Sequence, residues 1–217
     1  MRTWISSLLM AFAFASGSAA WAVGSPTPSG GDISSPRTQS AEQKARAMYE
    51  SGVRAVKKAD KYAANPKKAD RATDQYARAR DLFESAVTEN PQMHEAWNYL
   101  GYARRKLGSF ESAITAYDRA LALKPDYLEA IEYRGEAYLG LNRIEDAKNA
   151  YLELFAHDRK LAETLLTAMK KWAQAQRGAG SPDIEALNAL DEWLQERSVI
   201  AAQVTALTRE RSSHVWR

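Results

Sequence analysis

Residues 94–127, HEAWNYLGYARRKLGSFESAITAYDRALALKPDY, overlie residues 128–161, LEAIEYRGEAYLGLNRIEDAKNAYLELFAHDRKL, at a shift of 34 positions. Glu95, Ala96, Tyr99, Gly101, Ala103, Leu107, Glu111, Ala113, Ala116 and Tyr117 meet Glu129, Ala130, Tyr133, Gly135, Ala137, Leu141, Glu145, Ala147, Ala150 and Tyr151. A period of this length constrains a chain more tightly than its composition does. Each unit is one supersecondary element that cannot bury its apolar face alone, so neighbouring units must stack.

The units read as helices. Beyond Ala41 no run alternates with period two over a strand's length, and helix formers dominate, so the chain is expected to be all-α. Gly101 and Gly135 then pose a question, because an interior glycine costs a helix roughly 1 kcal/mol relative to alanine. Close approach of two antiparallel helices offsets that cost. Gly101 or Gly135 on a first helix and Ala113 or Ala147 on a second supply the small side chains, and Trp97, Leu100, Tyr117 and Leu121 fill the wider gaps. Gly108 and Asn142 suit the left-handed residue that ends each first helix.

Trp97, Leu100, Gly101, Ala113, Tyr117, Ala120 and Pro125, set in a 34-residue unit, resemble the tetratricopeptide repeat, a helix–turn–helix unit. The second unit departs from the pattern at Arg134, Leu154 and Arg159, which stand where leucine, alanine and proline are found in the first. The resemblance implies a short right-handed solenoid of about three helix pairs, with units at about 41–93, 94–127 and 128–161 and a helix to 176 closing the stack. A further C-terminal helix and tail occupies 177–217.

The first unit is irregular. Tyr76, Ala79, Phe83, Ala86, Val87 and Pro91 match Phe110, Ala113, Tyr117, Ala120, Leu121 and Pro125, but Asn65-Pro66 interrupts the window where the partner helix should lie. That helix is expected upstream, within 41–62, with Gly52 in the glycine position. Both helices should therefore run on for about two extra turns and meet near Ala63–Lys67. Lys57, Lys58, Lys61, Lys67, Lys68 and Arg71 gather at this tip, and residues 37–80 carry net charge +7 against −4 for 81–217. Such charge serves a solvated helical extension or an electrostatic contact with an anionic envelope component or acidic protein.

The two ends read differently. Arg2, the apolar run 4–14 and the Ala20-Trp21-Ala22 site form a signal peptide cleaved after Ala22; an apolar core of eleven residues is too short for a transmembrane anchor. An exported, periplasmic protein is expected. Residues 23–40 are Gly, Ser and Pro-rich and read as a flexible linker. Near the C-terminus, Leu161, Leu165, Met169 and Trp172 form a helical stripe. A last helix begins with Ser181 as N-cap and Pro182 at its first position, followed by Asp183, and Ile184, Leu187, Leu190, Leu194, Ile200, Val204 and Leu207 are expected to pack back on the solenoid.

Nothing in the chain has the pattern of an active site. Cysteine is absent, and His94, His157 and His214 stand apart with no metal-ligand spacing, so no metal or other cofactor is expected. There is no phosphate-cradling glycine loop and no nucleophile elbow. A formal charge of +3 over 217 residues argues poorly for nucleic acid. The expectation is a binding protein and not an enzyme.

In tetratricopeptide arrays the first helices line a concave groove that commonly receives a peptide or partner helix. With 97, 100, 101 and 104 facing the core, the neighbouring stripe predicts Asn98, Tyr102 and Arg105 as groove residues. Glu132, Glu136 and Leu139 follow from the next unit, with Tyr49, Val53 and Val56 from the first. Cochaperone members of the family grip a terminal carboxylate with lysines, an arginine and asparagines on these faces. Tyr49, Val53 and the two glutamates stand at the corresponding positions here and do not support that clamp. The implied function is a periplasmic interaction scaffold for a protein or peptide segment, and this mixed groove suits a basic or amphipathic one. The alternative is an envelope-associated structural protein that contacts peptidoglycan or anionic lipid through the basic hairpin.

Overall fold

A computed structural model describes residues 36–180 and 183–214. The signal peptide, most of the linker, and Ser181 and Pro182 at the start of the last helix lie outside these residues. Eight α-helices follow one another: α1 (Pro36–Ala63), α2 (Ala69–Glu89), α3 (His94–Lys106), α4 (Phe110–Leu123), α5 (Leu128–Gly140), α6 (Ile144–His157), α7 (Arg159–Gly178) and α8 (Ile184–His214). The described residues contain no strand. Helix α1 starts at Pro36, so residues 36–40, expected as linker, are already helical. Proline is well tolerated there, since the first helical N–H has no intrahelical acceptor.

The helices pack as consecutive pairs, α1 with α2, α3 with α4 and α5 with α6, each pair resting on the next. The two central turns are built alike. Gly108 and Asn142 take φ of +79° and +58°, and the following amides, Ser109 N–H and Arg143 N–H, donate to the carbonyls of Arg104 and Tyr138 at 2.9 Å. This is the Schellman closure that satisfies carbonyls left open at a helix end. On the far side of each second helix an extended residue, Asn90, Lys124 or Asp158, redirects the chain. Asp158 also caps α7 by accepting from Lys160 and Leu161 N–H at 2.8 and 3.0 Å.

The glycines answer to aromatic rings as well as to alanines. A Cβ on Gly101 would come within 2.6 Å of the Tyr117 ring, and one on Gly52 within 2.6 Å of the Phe83 ring at the matching position. Gly135 differs, since its nearest neighbour is Leu165 of α7 at 2.7 Å and the Ala150 Cβ lies at 3.3 Å. Tyr151, the counterpart of Tyr117, packs instead on Phe155 and edge-on to Trp193 of α8. The buried alanines Ala96, Ala103, Ala113, Ala116 and Ala120 let α3 and α4 approach, while Leu100 and Tyr117 fill the space between them. Arg104, expected to face the core, is partly exposed, with its guanidinium on Glu84 at 2.9 Å and on the Ser112 carbonyl at 3.1 Å. Ala103 occupies the core position beside it.

The first pair has the long hairpin expected of it: α1 and α2 span 28 and 21 residues against 13 and 14 for α3 and α4. A single 3-10 turn, Pro66–Lys68, joins them, capped by the Asn65 side chain accepting from Lys67 N–H. At the other end α7 stands against α5 and α6 as α5 stands against α3 and α4, so it is the first helix of a fourth pair. Leu187, Leu190 and Leu194 of α8 are buried against this end. Ile184 and Leu207, expected to pack back, are exposed, Leu207 to 59%. With 31 residues, α8 is longer than the 20-residue α7 beside it.

Candidate functional site

The inner surface of the stack is built by α1, α3, α5 and α7. On it the tyrosines form a continuous chain. Tyr49 of α1 meets Tyr99 of α3 edge-on at 5.7 Å between ring centres, Tyr99 lies 6.5 Å from Tyr102, and Tyr102 lies 5.2 Å from Tyr133 of α5. The Arg105 guanidinium lies 5.2 Å from the Tyr102 ring centre and 5.4 Å from that of Tyr133, a double cation–π contact, and is ion-paired with Glu136. Its side chain is only 10% exposed. Helix spacing explains the arrangement, because Asn98, Tyr102 and Arg105 fall on successive turns of one face of α3, opposite Glu132 and Glu136 on α5.

The predicted groove residues divide into a network and a core. Tyr102 donates its hydroxyl to Asp60 Oδ1 at 2.9 Å, and Tyr76 donates to the same oxygen at 2.6 Å, tying α3 to the extended part of the first hairpin. Burial, with the Asp60 carboxylate next, drives both phenol pKa values up. Asn98 is buried and its Nδ2 donates to the Tyr127 hydroxyl at 3.3 Å. Glu132 is buried too, and its carboxyl is pushed up to about 8, first by burial and then by the neighbouring Glu136, with Arg105 opposing. Glu136 reaches the surface and lines a cleft of about 570 Å³ together with Thr164, Thr167 and Lys171 of α7. Tyr49 and Val53 are half-buried against Phe83 and its neighbours.

Two expectations are corrected. Leu139 does not face the groove: it is 3% exposed and belongs to the core with Ile131, Leu154 and Leu165, because the fourth helix pair covers that side of α5. Val56 is buried in the core around Phe83 for the corresponding reason, α2 and α3 closing over it. Four participants, Tyr99, Tyr133, Asp60 and Tyr127, were not foreseen as site residues. Tyr99 and Tyr133 carried a signal, being identical across the 34-residue shift. Asp60 carried none, lying 42 residues from the hydroxyl it accepts.

The basic tip is as exposed as its composition suggests. Lys57, Lys58, Lys61, Lys67, Lys68 and Arg71 are all exposed, and Lys58 and Lys68 each place their ammonium 5.8 Å from the centre of the Tyr62 ring. A second cleft, of about 830 Å³, opens between α7 and the distal half of α8, walled by Phe155, Leu166, Ala202 and Ala206. Among the described residues no cluster of acidic, histidine or cysteine side chains could hold a metal ion, and no helix is long and apolar enough to cross a membrane.

Comparison with known proteins bears on this architecture. Residues 68–127 match the family model of the tetratricopeptide repeat. Among solved structures, the tetratricopeptide domain of Arabidopsis OM64 aligns over 62% of this chain and 98% of its own length, at 18% identity and a TM-score of 0.50. The first tetratricopeptide domain of Spaghetti (RPAP3), bound to an HSP90 peptide, aligns over 63% and 98% at 24% identity and a TM-score of 0.47. MamA aligns over 78% and 88% at 17% identity and a TM-score of 0.44. Comparison with curated protein sequences returns no match. The family match runs through α2 and the whole of the α3–α4 pair, and the same period, glycine positions and turns continue into α5 and α6, so the described helices share the fold of tetratricopeptide repeat arrays.

Proposed function

We propose that this protein is an exported interaction scaffold that holds a segment of another protein on the surface formed by α1, α3, α5 and α7. The observation that carries the reading is the tyrosine chain with Arg105 fixed at its centre. It presents aromatic faces and the Glu136 carboxylate on side chains already held by packing, so little rotamer entropy is lost when a partner is engaged. Aromatic and arginine side chains are the residues that dominate interface energetics. Export rests on the N-terminal segment, whose charged start, apolar core and Ala20-Trp21-Ala22 site suit a periplasmic destination.

The test uses a photocrosslinking amino acid at Thr164, which lines the inner cleft, and at Leu152, exposed on the second-helix side of α6. Irradiation of cells should link position 164 to a protein of the envelope fraction and leave position 152 without that product. Equal products from both positions, or a product at 152 alone, would place recognition elsewhere.

One observation favours a second contact. Six exposed cations crowd the hairpin tip, and no ion pair holds any of them among the described residues. Such a tip suits anionic envelope material. Reversing Lys61, Lys67 and Lys68 to glutamate should leave the helical spectrum unchanged and abolish salt-sensitive sedimentation with peptidoglycan sacculi. Sedimentation unaltered by the reversal removes this contact.

A further inference from the structure

The inner surface buries one more carboxyl group than its own cation pairs. Glu132 and Glu136 lie one turn apart on α5, and Arg105 is ion-paired with Glu136 alone. Glu132 is 2% exposed, and its Oε1 has no hydrogen-bond partner. Asn98 stands at the matching position of α3, one repeat earlier. It is also 2% exposed, and while its Nδ2 is committed to Tyr127, its Oδ1 has no partner either. A buried acceptor without a partner pays the full cost of leaving water. Two such acceptors in corresponding positions of neighbouring helices are a row waiting for N–H donors.

The protein itself shows which donor this floor accommodates. Arg105 lays a guanidinium against the rings of Tyr102 and Tyr133 and closes it with a carboxylate. Tyrosine faces attract cations, and a guanidinium brings five N–H donors where an ammonium brings three. The site therefore holds two carboxyl groups and one cation. Lys160 and Lys171 of α7 are the other cations lining the Glu136 cleft, beside Glu163, and both are exposed.

We propose that a segment bound on this surface inserts an arginine or lysine side chain against Glu132 and Asn98, an assignment that rests on the inner face being the binding site. The incoming cation supplies the missing donors and becomes the counter-ion of Glu132 as that carboxyl gives up its proton. It also changes the protonation of that carboxyl. With its pKa pushed up to about 8 by burial and by Glu136, against the opposing pull of Arg105, Glu132 holds its proton at neutral pH, and a cation beside it releases that proton. Tyr133 also faces Glu132, but its phenol, itself raised to about 12, stays protonated throughout.

The probe is a library of random peptides of about twelve residues displayed on phage and panned against the full chain. The selected peptides should share a basic position. Replacing it by citrulline, or by norleucine where it is lysine, should weaken binding about tenfold, or 1.4 kcal/mol. Against Glu132→Gln, which keeps the shape and removes the carboxylate, the same replacement should change binding by less than about threefold. Titration calorimetry near pH 7 in buffers of different ionisation heat should report release of about one proton per peptide from the parent and none from Glu132→Gln, a readout that a purely structural role would not move. Selected peptides without a basic position, or a citrulline peptide that binds as tightly as its arginine parent, would overturn the assignment while leaving the inner face as the site. A library that yields no binder at all would overturn the inner-face reading and this assignment with it.

Discussion

The α3–α4 and α5–α6 pairs share eleven identical residues at a fixed shift, yet their inner faces differ in charge. The first presents Asn98, Tyr102 and Arg105, and the second presents Glu132 and Glu136, with Leu139 turned into the core. The identical residues include those that set helix approach, Gly101 and Ala113 with Gly135 and Ala147, and the inner-face tyrosines Tyr99 and Tyr133. The differing ones lie where one first helix meets the next, and there the difference creates the contact, since Arg105 needs Glu136 as its counter-ion. A repeat thus reuses its frame and varies the charged part of its inner face.

The largest expected effect breaks that contact. Arg105→Met should leave Glu132 and Glu136 facing one another without a cation in a mostly buried setting, and should cost about 3 kcal/mol. For a chain of this size that lowers Tm by about 6–12 °C, measurable by thermal denaturation followed by circular dichroism. A loss of a degree or less would show that the ion pair is as weak as a solvated one.

A smaller effect separates the two glycines. Gly101→Ala sets a methyl group against the rigid Tyr117 ring at 2.6 Å, whereas Gly135→Ala meets the movable end of Leu165. Alanine gains helix propensity at both positions by roughly 1 kcal/mol. The expected outcome is a net loss of about 1–2 kcal/mol at Gly101 and a change within about 0.5 kcal/mol at Gly135, read from urea unfolding midpoints. Equal losses would mean that the two pairs are packed alike after all.

A further effect concerns pH. Glu132 has a folded pKa raised to about 8 from the ordinary 4.5, so the native state holds a proton that the unfolded chain has released. Its contribution to stability is present in full below about pH 4.5, declines as pH rises towards 8, and is level above that. Glu136, Arg105 and Tyr133 are the groups that face it. Glu132→Gln should therefore match the parent near pH 4.5 and exceed it in Tm near pH 8. A constant difference across this range would assign the proton elsewhere.

Much of the frame could be read from residue order. The period located α3 to α6, Gly108 and Asn142 marked their turns, and the displaced Gly52 located the long first hairpin by the ring, Phe83, that it receives. The inner face was legible in part. Helix spacing brought Asn98, Tyr102 and Arg105 onto one face, but it assigned Leu139 to that face as well, because spacing along one helix does not say where the following pair will cover it. Tyr99 and Tyr133 were visible as identities whose partners were not. The Asp60–Tyr102 contact depended on how far the first hairpin overhangs α3.

Local sequence alone determined helix, turn and repeat, because propensity, capping and the 3.6-residue period act over a few neighbours and each leaves its mark in residue order. Only the tertiary structure decided which polar side chains of α3 and α5 lose their water and which of them find partners. Burial and pairing depend on atoms brought together from separate helices across the stack. Arg105 became the counter-ion of Glu136, and Glu132 was left with an unpartnered oxygen, through the packing of one pair on the next.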